Sequence, residues 1–117
     1  MKVLLTGATG FIGSQVARLL VASGEQVTLI VKPSTSRWRI ADLVPRVTII
    51  ESDVGDRAFL EPRLRDDMPD VCVHLAWDGW SGPSLTAEEN LSSLASSLEF
   101  LRVLVHVGCP RFVGVGT

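Results

Sequence analysis

"VLLTGATGFIGSQ", residues 3–15, decides the fold: an apolar run meets three glycines, Gly7, Gly10 and Gly13, and then an amphipathic stretch. The run over 2–5 is continuously apolar, the pattern of a strand covered on both faces. From Phe11 the period becomes helical, with Ile12, Val16, Leu19 and Leu20 as the expected buried stripe. Gly24 stands where a helix C-terminal glycine belongs. Three positions without side chains are therefore needed where a strand turns into a helix.

The same alternation continues along the chain. "QVTLIV" (26–31) is a second β-branched run, followed by loop punctuation at 33–36 and a weakly patterned short helix over 37–43, before Pro45. Strands are expected at 46–50 and 70–77, with a short helix over 56–65 between them, N-capped by Asp56. After the loop "DGWSGPS" (78–84), Thr86 and Glu89 form a capping box at the head of a long helix. Leu91, Leu94, Leu98, Leu101 and Val105 are its expected buried face, Gly108 its end, and "RFVGV" (111–115) a fifth strand. Strands alternating with helices imply parallel βαβ units with right-handed crossovers. The expected architecture is α/β: a doubly wound parallel sheet ordered 3-2-1-4-5, helices on both faces, one domain over 1–117.

Composition narrows the function. The 117 residues are 46% hydrophobic and 21% charged with a net charge of −2, which offers no electrostatic footprint for nucleic acid. No apolar stretch is long enough to cross a bilayer. Gly7 and Gly10 interrupt the N-terminal apolar run too early for a signal peptide, so a cytoplasmic chain with its native N-terminus is expected. Cys72 and Cys109 lie far apart without metal-ligand spacing; two reduced thiols and no metal site are the reading.

In a doubly wound sheet the turn after the first strand lies at the switch point, where ligands bind beyond the strands' carboxyl ends. A helix starting there presents unpaired N–H groups and the positive end of its dipole, which suits a pyrophosphate. Gly7 would serve the tight turn, Gly10 the approach of the phosphates and Gly13 the packing of helix on strand. The spacing, T-G-x-x-G-x-x-G, departs from G-x-G-x-x-G, and no Gly-Lys-Ser/Thr follows to make a P-loop.

"TGATGFIG" (6–13) resembles the cofactor loop of the extended short-chain dehydrogenases/reductases, the NAD-dependent epimerases and dehydratases of nucleotide sugars. The likeness runs the length of the chain. It implies cofactor contacts at Thr6, Gly7, Gly10, Phe11, Ile12 and Gly13. "ESDVGD" (51–56) resembles the segment after the third strand, implying that Asp53, with Val54 beside it, meets the adenine. "VHLAW" (73–77) resembles the strand whose end passes the cofactor, at Leu75, Ala76 and Trp77. Asn90 matches a recurrent asparagine of the long helix. "RFVGVGT" (111–117) resembles the strand that ends at the catalytic hydroxyl, here Thr117. The family's acid/base tyrosine and the lysine four residues beyond it have no counterpart: the chain has no tyrosine, and Lys2 and Lys32 lie in its first third. The resemblance therefore implies the cofactor-binding front part of a longer enzyme, inactive alone. Its partners would be a dinucleotide and, in the parent, a nucleotide-sugar-like molecule; a homodimer stays open.

Cofactor choice usually turns on the end of the second strand, where an acid favours NAD and a base accepts the 2′-phosphate of NADP. Here Val31 stands in place of an acid, with Lys32, Ser34 and Arg37 close behind, which favours NADP over NAD. His74 reads as a satisfied core histidine and His106 as a helix-end group without chemistry. Trp38, Trp77 and Trp80 read equally as pocket walls or loop anchors. The alternative to an enzyme fragment is a non-catalytic NAD(P)-binding redox sensor of the same fold; a domain binding another nucleotide or none stands third.

Overall fold

The computed structural model describes residues 1–77 and 88–115. Its elements are β1 (Lys2–Thr6), α1 (Phe11–Ala22), β2 (Gln26–Val31), β3 (Thr48–Glu51), α2 (Arg57–Asp67), β4 (Val71–His74), α3 (Glu89–Val107) and β5 (Phe112–Gly114). The strands form one parallel sheet in the order β3-β2-β1-β4-β5. Register places Thr6 opposite Ile30 on one side and His74 on the other, at the carboxyl end of the sheet.

Each face of the sheet carries its own core. On the α1 side Leu5, Leu29 and Val31 pack with Ala17, Val21, Ile40 and Leu43. On the opposite side Leu4, Ile30 and Cys72 pack with Leu60 and Leu64 of α2 and with Phe100, Val103 and Leu104 of α3. Each fully buried side chain of this size contributes about 1.5–3 kcal/mol. This two-sided burial is why β1, β2 and β4 read as apolar runs rather than alternating strands.

The five strands and the three longer helices are present, with shifted edges. Asp56 caps α2 through Phe59 N–H, at 3.3 Å. The helix expected over 37–43 is instead a pair of 3₁₀ turns, Trp38–Ile40 and Val44–Arg46. Pro45 accounts for this, because proline pushes the preceding residue away from helix and donates no N–H. β4 stops at His74, three residues short of expectation: Leu75 N–H is shared between the Thr6 carbonyl and hydroxyl, and Ala76 N–H goes to the hydroxyl. Thr86 of the expected capping box lies outside the described residues.

Two buried stripes are not the expected ones. In α1 the sheet takes Gly13, Ser14, Ala17 and Val21, with Val16 and Leu20 at the margin; Ile12 and Leu19 are 66% and 69% exposed. The helix approaches the sheet on its smallest side chains, because Gly13 lies against the turn beneath it. In α3 the sheet takes Ser93, Phe100, Val103 and Leu104, whereas Leu91, Leu94, Leu98, Leu101 and Val105 face outward. The two faces lie roughly a third of a turn apart on the helix. Phe100 has the bulk to fill the space above the sheet, and serines at 93, 96 and 97 let the helix come close; a Cβ on Gly55 would already sit 2.9 Å from Ser96 Oγ.

β5 pairs with β4, and its three residues are all exposed. An exposed strand edge is a template for pairing with a second chain. This chain is therefore expected to self-associate through β5 as concentration rises. A single 12.7 kDa species in sedimentation at high concentration would count against that.

Candidate functional site

The three glycines occupy three different situations. Gly7 has φ +76°, and a Cβ there would lie 2.7 Å from the Leu75 carbonyl carbon and 2.8 Å from the Ala76 nitrogen. A Cβ on Gly13 would lie 1.9 Å from the Gly7 oxygen. The fold therefore requires glycine at both positions. Gly10 differs: its backbone is ordinary and extended (φ −79°, ψ 174°), and a Cβ would meet Gly7 oxygen alone, at 3.4 Å. Among the described residues, nothing demands the missing side chain at Gly10.

Gly10 N–H closes the turn on Gly7 oxygen at 3.2 Å, and Ser14 N–H makes the first helical bond to Gly10 oxygen at 3.0 Å. The amides of Phe11, Ile12 and Gly13 precede that bond, so none has an acceptor within the helix. No side chain caps α1 and its first turn holds no acid. Phe11 and Ile12 point outward, leaving the helix end open at the carboxyl edge of the sheet.

The wall beside the turn is built by Thr6, which is fully buried. Its Oγ1 accepts from Leu75 N–H and Ala76 N–H, both at 3.1 Å, and lies 2.7 Å from His74 Nδ1. His74 Nε2 in turn lies 2.9 Å from Ser97 Oγ of α3. Burial lowers the His74 pKa from its ordinary value. Both ring nitrogens are thus engaged, as a core histidine requires. Thr6 reaches the site through Leu75 and Ala76 rather than with a free hydroxyl.

Beyond β2 the cations face acids. Arg37 pairs with Glu51 at 2.5 Å, and Lys32 lies 3.9 Å from the Asp53 carboxylate. Asp53 also accepts Gly55 N–H at 2.8 Å, while Val54 packs against the core beneath α2 and α3. Ser34 is exposed, and Val31 is buried on the α1 side rather than presented to a ligand. Sequence reasoning missed Arg39. Its guanidinium donates to Thr9 oxygen of the glycine turn at 3.1 Å and stacks 4.5 Å from the Trp38 ring centre. Arg18 steadies that segment by donating to Arg39 oxygen and Asp42. The available signal was a third cation two residues beyond Arg37.

Trp77 Nε1 donates to Asn90 Oδ1 at 2.8 Å, which joins the end of β4 to the start of α3. Thr117 and Trp80 lie outside the described residues. The structure thus gathers Thr6, Gly7, Gly10, Gly13, Leu75 and Ala76 at one point, with Lys32, Arg37 and Asp53 along one flank and Trp77 and Asn90 on the other. A concavity of about 520 Å³ lined by Lys2, Gln26, Thr28, Arg46 and Asp67 lies at the amino ends of β1 and β2, the end opposite this turn. Cys72 and Cys109 are free thiols. Among the described residues no helix is long and apolar enough to span a membrane, and no three His, Cys, Asp or Glu side chains gather as metal ligands.

A doubly wound parallel sheet with a glycine turn at the switch between β1 and β4 is a Rossmann-type fold. The family model described as NAD dependent epimerase/dehydratase family matches residues 3–117, and the chain belongs to that family. It is 32% identical over 81 residues to a UDP-glucose 4-epimerase from Klebsiella pneumoniae, covering 65% of this chain and 58% of that one. It is 30% identical over 95 residues to a probable dTDP-glucose 4,6-dehydratase from Sinorhizobium fredii, covering 77% and 27%. Among solved structures it is similar to the dTDP-glucose 4,6-dehydratase of Streptomyces venezuelae with NAD bound. That match has a TM-score of 0.83 and 26% identity, and covers 96% of this chain and 38% of the other. The chain thus spans less than two-thirds of the length of each.

Proposed function

We propose that residues 1–117 are the dinucleotide-binding part of an epimerase, dehydratase or reductase that moves a hydride between nicotinamide and a nucleotide-sugar carbon. The observation that carries this reading is Gly10: an unstrained residue with open space above it, at the bare N-terminus of α1. A pyrophosphate fits there, held by the first-turn amides and the helix dipole, and a side chain at Gly10 would stand in its way. When bound, the nicotinamide supplies the hydride chemistry.

The chain's own residues bind and orient. Gly7 and Gly13 let the turn close on Leu75 and Ala76, and Asp53 and Val54 border the adenine end. Trp77 and Asn90 stand on the nicotinamide side. In this reading Thr117 provides the hydroxyl that bonds the substrate's reacting oxygen, and turnover needs an acid/base pair that this chain, without tyrosine, does not supply. A Tyr-x-x-x-Lys pair downstream in the parent would support this enzyme reading, and its absence there the second reading, a non-catalytic NAD(P)-binding redox sensor of the same fold.

For the cofactor, Lys32, Ser34 and Arg37 support NADP, with Arg39 as a further cation at the turn. Engaging a 2′-phosphate requires Arg37 to exchange Glu51 for the phosphate, a swap of one exposed ion pair for a doubly charged one. Parallel titration with NADPH and NADH, read by tryptophan quenching and energy transfer to the nicotinamide, tests both levels. NADPH is expected to bind more tightly, by about tenfold, the worth of one charge-assisted contact. Preference for NADH would overturn the cofactor assignment alone; binding of neither would overturn the dinucleotide reading of this chain.

A further inference from the structure

Thr6 has one hydroxyl proton and two acceptor positions. Both acceptor positions are occupied, by Leu75 N–H and Ala76 N–H. Its proton therefore goes to His74 Nδ1, 2.7 Å away, and that nitrogen must be bare. The ring proton then sits on Nε2, donated to Ser97 Oγ at 2.9 Å. One tautomer alone satisfies the whole chain of bonds. The ring is held in place by Phe100 and Phe112, whose centroids lie 5.3 and 6.0 Å from its own.

We propose that His74 is a positioning residue of the dinucleotide site: by accepting the Thr6 proton it turns both Thr6 lone pairs onto the Leu75 and Ala76 amides and so seats the end of β4 against the glycine turn. The margin there is small, since the place of a Cβ on Gly7 lies 2.7–2.9 Å from the Leu75 carbonyl and the Ala76 nitrogen. A Thr6 hydroxyl free to rotate would release the Ala76 amide and leave Leu75 N–H on the Thr6 carbonyl alone, at 3.3 Å, and Leu75–Ala76 would move relative to the surface the pyrophosphate needs. Ser97 extends the same lock to α3, the helix whose Asn90 holds Trp77. The proposal rests on the dinucleotide reading above and gives a residue outside the ligand's reach control over it.

Two substitutions separate positioning from packing. His74→Asn places an amide oxygen where Nδ1 stands, keeping an acceptor for Thr6 while losing ring volume against Phe100. His74→Phe keeps the ring volume and removes the acceptor. With NADH as probe and thermal unfolding alongside, positioning predicts a crossover. The Asn variant melts lower yet binds within about threefold of wild type, and the Phe variant binds at least about tenfold more weakly. Packing alone predicts the reverse order of binding, which would overturn the proposal. Ring ¹⁵N–¹H correlation is an independent check: a proton on Nε2 with Nδ1 bare supports it, and a proton on Nδ1 overturns it whatever the affinities. Wild-type chain that binds no nucleotide would sink the dinucleotide reading itself, whereas tight wild-type binding matched by His74→Phe would sink this proposal alone.

Discussion

Gly13→Ala is expected to destabilise the chain by at least about 3 kcal/mol, lowering the melting temperature by roughly 10 °C or more. The added methyl would lie 1.9 Å from Gly7 oxygen and 2.6 Å from Gly7 carbon, both backbone atoms of a turn already fixed by its own hydrogen bond. No side-chain rotation relieves such a contact, so α1 must lift from β1 or the turn must open. Either movement uncovers Ala17 and Val21, which are buried on the same helix face. Circular dichroism melting of the variant beside wild type measures the effect. A shift of less than about 3 °C would show that helix and strand do not approach as described here.

Gly10→Ala is expected to do the opposite: to leave the melting temperature within about 3 °C and weaken NADH or NADPH binding by at least about tenfold. The backbone at Gly10 lies in a region every L-residue adopts, and the new methyl meets Gly7 oxygen at 3.4 Å, an ordinary contact. Any loss of affinity then reports on what occupies the space above. A phosphate moved off the helix end loses charge-assisted bonds worth about 1.5–3 kcal/mol each, tenfold or more in affinity. Titration of the folded variant against wild type is the measurement. Unchanged affinity would mean that the phosphates do not pass over Gly10, and the observation carrying the proposed function would fall. Together the two variants place stability at one glycine and binding at another three residues away.

The difference between those glycines was not legible in the sequence. Their spacing indicated a strand-to-helix turn and assigned them three roles, but only coordinates show which glycine is enforced by backbone contact and which by nothing among the described residues. The outward stripes on α1 and α3 carry the same lesson. Periodicity finds a helix and its apolar face, whereas the sheet selects the face that fits its surface. In α1 that face is small, Gly13 and Ala17; in α3 it pairs serines with Phe100. Leucine spacing holds no information about how closely a neighbouring strand can approach.

His74 and Thr6 show what depends on separation along the chain. Sequence reasoning placed His74 inside the fourth strand and Thr6 just past the first, and read His74 as a satisfied core residue, which its two hydrogen bonds bear out. Their meeting across 68 residues follows from the pairing of β1 with β4, a consequence of topology. Arg39 is similar: it lay unremarked in the helix expected over 37–43, and the 3₁₀ turn brings it to Thr9 oxygen, 30 residues away.

By itself, then, the sequence determined the alternation of strand and helix, the parallel order of the sheet and the glycine turn at its switch point. These are local properties: apolar runs, turn chemistry and the short reach of right-handed crossovers. The tertiary structure decided which helix faces are buried, which cations are already paired with acids, and which hydroxyl holds the end of β4. Those outcomes depend on distances between residues far apart in the chain, and close packing settles them to a fraction of an ångström that no local pattern encodes.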